Sequence, residues 1–118
     1  MIKPNKFIQS VPHALRGIVS LIKNDNNFRI HLLAVVVVII AGNIIEFSEM
    51  EWLAVIITMG GVLALEAVNT AIESVVDLAS PQYHELAKKA KDVAAGAVLL
   101  FVFAALGVAG VILWNHFG

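Results

Sequence analysis

Residues 52–77 read WLAVIITMGGVLALEAVNTAIESVVD, and this stretch decides the architecture. Its first part, 52–65, carries no charged side chain, and four polar residues follow it: Glu66, Asn69, Glu73 and Asp77. At about 100° per residue, these four side chains fall within about 80° of one another on a helix. A carboxylate inside a bilayer costs at least a few kcal/mol and is rare there without a function. The pattern predicts a membrane helix with a functional polar face; a stripe that only joins helices is the alternative.

The composition indicates that lipid surrounds most of the chain. Apolar residues make up 59% of the 118 residues, against about 45–50% in soluble proteins, and charged residues make up 14%, against about 25%. Two further uncharged runs, 30–45 and 93–118, reach with their flanks the length of about 20 residues that a bilayer core requires. A formal net charge of −1 gives no basic field for nucleic acid, and the absence of cysteine excludes disulfides and thiolate sites.

We predict an all-α fold in a single domain, residues 1–118. An N-terminal helix is expected over 5–24 and three membrane spans over 28–47, 50–79 and 86–115. Apolar residues recur at spacings of three and four within 5–24, which is typical of an amphipathic helix at the membrane interface. A helix that packs on a protein core is the alternative. Pro12 predicts that this helix starts or kinks there, since an internal proline costs about 3 kcal/mol.

The placement of lysine and arginine predicts the orientation. Basic residues lie in the N-terminal segment and in 88–91, whereas the first loop, 46–51, has acids only and the C-terminal tail has neither lysine nor arginine. Cytoplasmic loops carry the excess of lysine and arginine. We therefore expect a multi-pass protein with a cytoplasmic N-terminus and an external C-terminus.

The basic segment and the acidic face together favour phosphoryl transfer. By itself, a basic loop could serve only to set the topology. Beside carboxylates, however, it completes the parts that phosphoryl transfer requires: a cation and lysines that neutralise phosphate charge, and a base for the hydroxyl proton. The sequence contains no glycine-rich nucleotide loop, which excludes the soluble kinase and P-loop designs.

Three motifs carry a family resemblance: EAVNTAIESVVD (66–77), YHELA (83–87) and AKDVAAGAV (90–98). Together they resemble the prokaryotic diacylglycerol kinase and undecaprenol kinase family, and the likeness extends from Lys6 to Gly118. The resemblance implies a homotrimer of three-span subunits, each with an N-terminal surface helix, in the bacterial inner (cytoplasmic) membrane. It also implies ATP- and Mg²⁺-dependent phosphorylation of a lipid hydroxyl at the cytoplasmic interface.

The resemblance also implies roles for individual residues. Glu66 is expected to be the general base, Asp25 and Glu73 the metal ligands, and Asn69 the residue that orients the lipid or its base. Five residues are expected to contact ATP: Lys6, Tyr83, His84, Lys91 and Asp92. Asp77 receives no role.

Two of these positions depart from the family pattern. Asp25 stands where a glutamate is usual, and Lys6 stands where an arginine is common. Aspartate is shorter by one methylene but still coordinates magnesium, whereas lysine gives up the bidentate geometry of a guanidinium on phosphate. The departures affect the contacts rather than the class of reaction.

The resemblance predicts diacylglycerol as the lipid substrate, giving phosphatidic acid. Undecaprenol is the alternative, because the sequence shares features with both branches of the family. From the residues alone, a small proton-coupled transporter that uses Glu66 as a titrating carboxylate is a second hypothesis. A non-catalytic membrane scaffold is a third, which leaves the acidic face without a purpose.

Overall fold

The protein is built from four consecutive helices. A computed structural model describes residues 4–118, with side chains from Asn5 onward. The helices are α1 (Pro4–Asn24), α2 (Asn26–Ile45), α3 (Glu49–Ala79) and α4 (Glu85–Phe117). Within these described residues there is no β-strand. α2, α3 and α4 are each long and apolar enough to cross a membrane, so the all-α class with three candidate spans is confirmed.

A sharp corner at Asp25 separates α1 from α2. The backbone there is extended (φ −104°, ψ 107°), and Asp25 Oδ1 accepts a hydrogen bond of 3.2 Å from the Phe28 N–H. This is the usual N-cap arrangement, which satisfies a free donor at the start of a helix. On the other side, Arg29 Nη1 donates to the carbonyls of Ile22 (3.1 Å) and Lys23 (2.8 Å) at the end of α1. Both helix ends at the corner are thus satisfied by local side chains.

α1 presents its apolar side chains outward and is continuous through Pro12. The helix begins at Pro4, so the prediction that it starts at Pro12 is wrong. Proline leaves the carbonyl of Ile8 without its helical partner, but both residues are exposed and water can bond that oxygen. Phe7 is 66% exposed and Leu15 57%, as expected of an amphipathic helix that lies on a membrane surface.

The turn between α2 and α3 is fixed by two caps. Glu46 adopts φ 67°, and the N–H groups of Glu46 (2.9 Å) and Phe47 (3.0 Å) both bond the Gly42 carbonyl. This left-handed residue ends α2 in the manner of the αL caps that close many helices. Ser48 and Glu51 then form a reciprocal capping box at the start of α3. The first span was expected over 28–47; α2 ends at Ile45 because the left-handed residue follows.

α3 packs mainly on α4, and α2 lies against α3. The approach of α3 to α4 is close at Gly61, since a Cβ there would overlap the Phe101 ring. Few apolar side chains are buried in this packing: Phe28, Val55, Val62, Ala94, Val98 and Ile112. Most other large apolar side chains are exposed, as expected of helices whose outer faces meet lipid or further protein.

A polar cluster ties the start of α3 to the end of α4, at the end of the molecule opposite Asp25. Glu51 is only 9% exposed; its Oε1 lies 2.8 Å from His116 Nε2, and its Oε2 accepts from Asn115 Nδ2 at 3.3 Å. The rings of Phe47 and Trp52 lie beside it, with centroids 5.2 Å apart. From the sequence, the acids of the first loop, 46–51, predicted only the orientation in the membrane.

Candidate active site

A polar cleft lies where the end of α1, the Asp25 corner and the middle of α3 meet. Its volume is about 270 Å³. The residues that line it are Ser20, Leu21, Asn24, Asp25, Asn26, Asn27, Glu66, Thr70 and Glu73. The fold therefore brings the predicted base, Glu66, together with both predicted metal ligands, Asp25 and Glu73. We call this site the acidic cleft.

Asp25 is held at the edge of the acidic cleft by two hydrogen bonds. Its Oδ1 accepts from the Phe28 N–H at 3.2 Å, and its Oδ2 accepts from the Thr70 hydroxyl at 2.5 Å. Burial raises the pKa of the Asp25 carboxyl, but the bonds from Thr70 and Phe28 outweigh it and leave the pKa below its ordinary value. Asp25 is therefore ionised at neutral pH, as a cation ligand must be.

The α3 residues of the acidic cleft differ in burial: Glu66 is buried, Thr70 is half-buried and Glu73 is exposed. Glu66 is 3% exposed, and Asn69, which is close to it on α3 but does not line the cleft, is 5% exposed. Asn69 Nδ2 donates to Glu73 Oε1 at 3.1 Å, whereas its Oδ1 accepts no hydrogen bond from any described residue. A buried acceptor without a donor costs about 1–3 kcal/mol. Asn69 Oδ1 is therefore suited to receive a hydroxyl or N–H from a bound ligand.

The donors of the acidic cleft fit a magnesium ion. Among the described residues, no group of three histidine, cysteine, aspartate or glutamate side chains is arranged to hold a metal by itself. Magnesium in nucleotide sites uses one or two carboxylates and completes its shell with waters and phosphate oxygens. Asp25 and Glu73 supply two such carboxylates on one cleft, which is sufficient for an ion that arrives with a nucleotide.

A second cleft, of about 380 Å³, lies further along α3, where it meets the loop and the start of α4. We call it the basic cleft, and its lining includes Asp77, Tyr83, His84, Lys88 and Lys91. Lys91 Nζ lies 2.5 Å from Asp77 Oδ1, so Asp77, the last residue of the polar face, has a basic partner.

Two predicted ATP contacts have local partners near this cleft. His84 is the N-cap of α4, and its Nδ1 accepts from the Leu86 N–H at 3.0 Å. Its Nε2 is the ring nitrogen left for a ligand. Asp92 does not line the basic cleft and instead pairs with Lys88 at 2.7 Å on the exposed side of α4.

Comparison with known proteins settles the family. The family described as "Prokaryotic diacylglycerol kinase" matches residues 12–113. The chain belongs to this family. It is 45% identical over 97 residues to an undecaprenol kinase from Bacillus subtilis, covering 82% of this chain and 79% of that protein. It is 43% identical over 113 residues to a diacylglycerol kinase from Synechocystis (95% and 64% covered). Against a diacylglycerol kinase from Escherichia coli, identity is 29% over 113 residues (96% and 93% covered).

Membership of the diacylglycerol kinase family confirms the lipid-kinase class predicted from the sequence. The lipid-kinase class can hold even where a single predicted ATP contact does not. Lys6 lies 14 residues before Ser20, the first α1 residue that lines the acidic cleft, which puts it about 21 Å along the α1 axis from that cleft. Its side chain is exposed, and it lines neither cleft. The predicted ATP contact of Lys6 therefore stays a prediction.

Thr70 lines the acidic cleft, and no role was predicted for it from the sequence. It follows Glu66 by four residues, so it lies about 40° from Glu66 on the helix. The same periodicity that groups the acids thus also places Thr70 on the polar face. Because threonine is common in helices and uncharged, only its contact with Asp25 distinguishes it.

Proposed function

We propose that the protein transfers the γ-phosphoryl group of ATP to the hydroxyl of a membrane lipid alcohol. The observation that carries the proposal is the acidic cleft, where Asp25, Glu66 and Glu73 line one space. The basic cleft continues the same face of α3 at Asp77, which pairs with Lys91 of α4. This arrangement combines a buried base with carboxylates for a cation and a lysine for phosphate.

In the proposed reaction, the Glu66 carboxylate accepts the proton of the lipid hydroxyl. The hydroxyl oxygen forms a bond to the γ-phosphorus, and the bond from that phosphorus to the bridging oxygen breaks, releasing ADP. Asn69 Oδ1 orients the hydroxyl, and Lys91 offsets the phosphate charge. Asp25 and Glu73 would hold Mg²⁺, which when bound neutralises charge on the phosphate oxygens.

The base assignment is tested by Glu66→Gln in purified protein. General-base catalysis contributes about 10²- to 10⁴-fold, so we expect a loss of that size in the rate of lipid phosphorylation. Glu49→Gln is the matched control, because Glu49 is an exposed glutamate in the first turn of the same helix. Near wild-type turnover by Glu66→Gln would overturn the assignment.

The metal assignment has its own test. Glu73→Ala should raise the Mg²⁺ concentration that gives half-maximal rate, since one of two carboxylate ligands is lost. An unchanged Mg²⁺ dependence would overturn the role of Glu73 without affecting that of Glu66.

Two lipid alcohols are candidate substrates. Diacylglycerol is the substrate predicted from the sequence, and phosphatidic acid would be its product. Undecaprenol is the second, favoured by the 45% identity with the undecaprenol kinase from Bacillus subtilis. Initial rates with both lipids in the same mixed micelles decide between them, and the preferred lipid is the one with the higher kcat/KM.

We further propose a homotrimer with a cytoplasmic N-terminus and an external C-terminus. The remote position of Lys6 and the exposed apolar faces of the spans favour assembly. The basic residues around the clefts favour the orientation. Native mass spectrometry in detergent measures the number of chains, and protease protection of terminal tags in vesicles measures the orientation.

A further inference from the structure

The Thr70 hydroxyl makes a long-range hydrogen bond at the acidic cleft. It donates to Asp25 Oδ2 at 2.5 Å, across 45 positions of sequence, and joins the middle of α3 to the corner between α1 and α2. Thr70 is partly buried there. The contact thus links two elements that each supply a predicted metal ligand.

A threonine hydroxyl within a helix usually bonds a backbone carbonyl one turn earlier. Thr58, on the same helix, does so with the Ala54 carbonyl at 2.8 Å, and Ser74 bonds the Thr70 carbonyl at 3.1 Å. Thr70 instead directs its hydroxyl away from its own helix to Asp25. The hydroxyl bonds the Asp25 carboxylate rather than a backbone carbonyl of its own helix because a charged carboxylate is the stronger acceptor.

The two bonds to Asp25 fix the orientation of its carboxylate. Oδ1 is held by the Phe28 N–H and Oδ2 by Thr70, so rotation about the side-chain bonds would break one of them. A carboxylate offers about four acceptor positions, and these two bonds occupy only one on each oxygen. Residues that hydrogen-bond a metal-binding side chain fix the orientation of that side chain and strengthen its binding of the metal.

We propose that Thr70 is a positioning residue, which holds Asp25 so that its free acceptor positions face the cation site of the acidic cleft. The inference rests on the proposed function, in which Asp25 and Glu73 bind Mg²⁺. Thr70 itself touches neither substrate nor ion in this scheme. Its effect is on the affinity for the cation.

The test compares Thr70→Val, which keeps the shape and removes the hydroxyl, with Thr70→Ser, which keeps the hydroxyl. Binding of Mn²⁺, added with a non-hydrolysable ATP analogue, is measured by electron paramagnetic resonance on purified protein. Loss of such an outer contact typically weakens metal binding about 10-fold, so we expect that loss in Thr70→Val and near wild-type binding in Thr70→Ser. The Mg²⁺ concentration for half-maximal phosphorylation should shift by the same factor, with kcat at saturating Mg²⁺ retained.

Asp25→Asn separates positioning from a merely structural contact. Asparagine is as good an N-cap as aspartate, so α2 should be retained. If Thr70 acts through Asp25, adding Thr70→Val to Asp25→Asn causes no further loss of Mn²⁺ affinity. A Thr70→Val protein that unfolds at lower temperature but binds Mn²⁺ as wild type does would overturn the proposal.

The outcomes also distinguish this inference from the proposed function. Wild-type Mn²⁺ binding in Thr70→Val, with weakened binding in Asp25→Asn, overturns only the role of Thr70. Unaltered binding in Asp25→Asn overturns the metal role of Asp25 and with it the inference. Should Thr70→Val fail to fold, Thr70→Ala removes the same hydroxyl and must show the same shift in affinity.

Discussion

Two adjacent glycines of α3 give a matched test of how closely α3 approaches α4. A Cβ at Gly60 would meet nothing within 4 Å, whereas a Cβ at Gly61 would overlap the Phe101 ring. Replacing a helical glycine by alanine stabilises a helix by about 0.5–1 kcal/mol, so Gly60→Ala should gain that amount. Gly61→Ala has the same gain, but overpacking costs about 1–3 kcal/mol. The gain in helix stability is the same in both variants, so Gly61→Ala should be less stable than Gly60→Ala by about 1–3 kcal/mol.

The assay is unfolding by dodecyl sulfate in mixed micelles, followed by circular dichroism. A third variant, Gly61→Ala with Phe101→Leu, removes the ring and should recover most of the lost stability. The reasoning is refuted if Gly61→Ala is as stable as Gly60→Ala, because the ring would then not occupy the space beside Gly61. A loss in Gly61→Ala that Phe101→Leu does not recover would place the clash elsewhere.

Three further predictions concern the basic cleft, the polar cluster around Glu51, and Asn69. In steady-state kinetics, Lys91→Met should raise the KM for ATP. Asp77→Asn should leave this KM at or below the wild-type value, because Asp77 competes with phosphate for the Lys91 ammonium. An equal rise of the KM in both variants would contradict this prediction. Glu51→Ala should lower the midpoint of dodecyl sulfate unfolding more than His116→Ala, since Glu51 accepts bonds from three residues, while the activity of the folded fraction stays unchanged. Asn69→Leu should slow phosphorylation about 10-fold through loss of the acceptor for the lipid hydroxyl, and a wild-type rate with both lipids would remove that role.

Much of the architecture follows from local features of the sequence. Uncharged runs that reach spanning length with their flanks predict the three membrane helices, because a bilayer satisfies no backbone polar groups and only helices or closed barrels span it. The 3.6-residue period predicts the shared face of Glu66 and Glu73 without any tertiary contact. The corner at Asp25 and the capping box from Ser48 to Glu51 are also local, since each joins residues three apart.

Other parts of the site depend on contacts between distant positions. The periodicity of α3 cannot show which element faces its polar stripe. Packing of the α1–α2 corner on α3 decides that Asp25 meets Thr70, and packing of α4 on α3 decides that Lys91 meets Asp77. The contact between His116 and Glu51, which are 65 positions apart, likewise depends on the packing of α4 on α3.

The sequence by itself thus determined a membrane helix with a polar face and a lipid-kinase motif, because helical period and hydrophobicity are properties of neighbouring residues. Only the tertiary structure decided that this face forms an acidic cleft with Asp25, which accepts a hydrogen bond from Thr70. The physical reason is that a hydrogen bond between α3 and the Asp25 corner depends on helix packing, which brings together side chains that the chain keeps far apart.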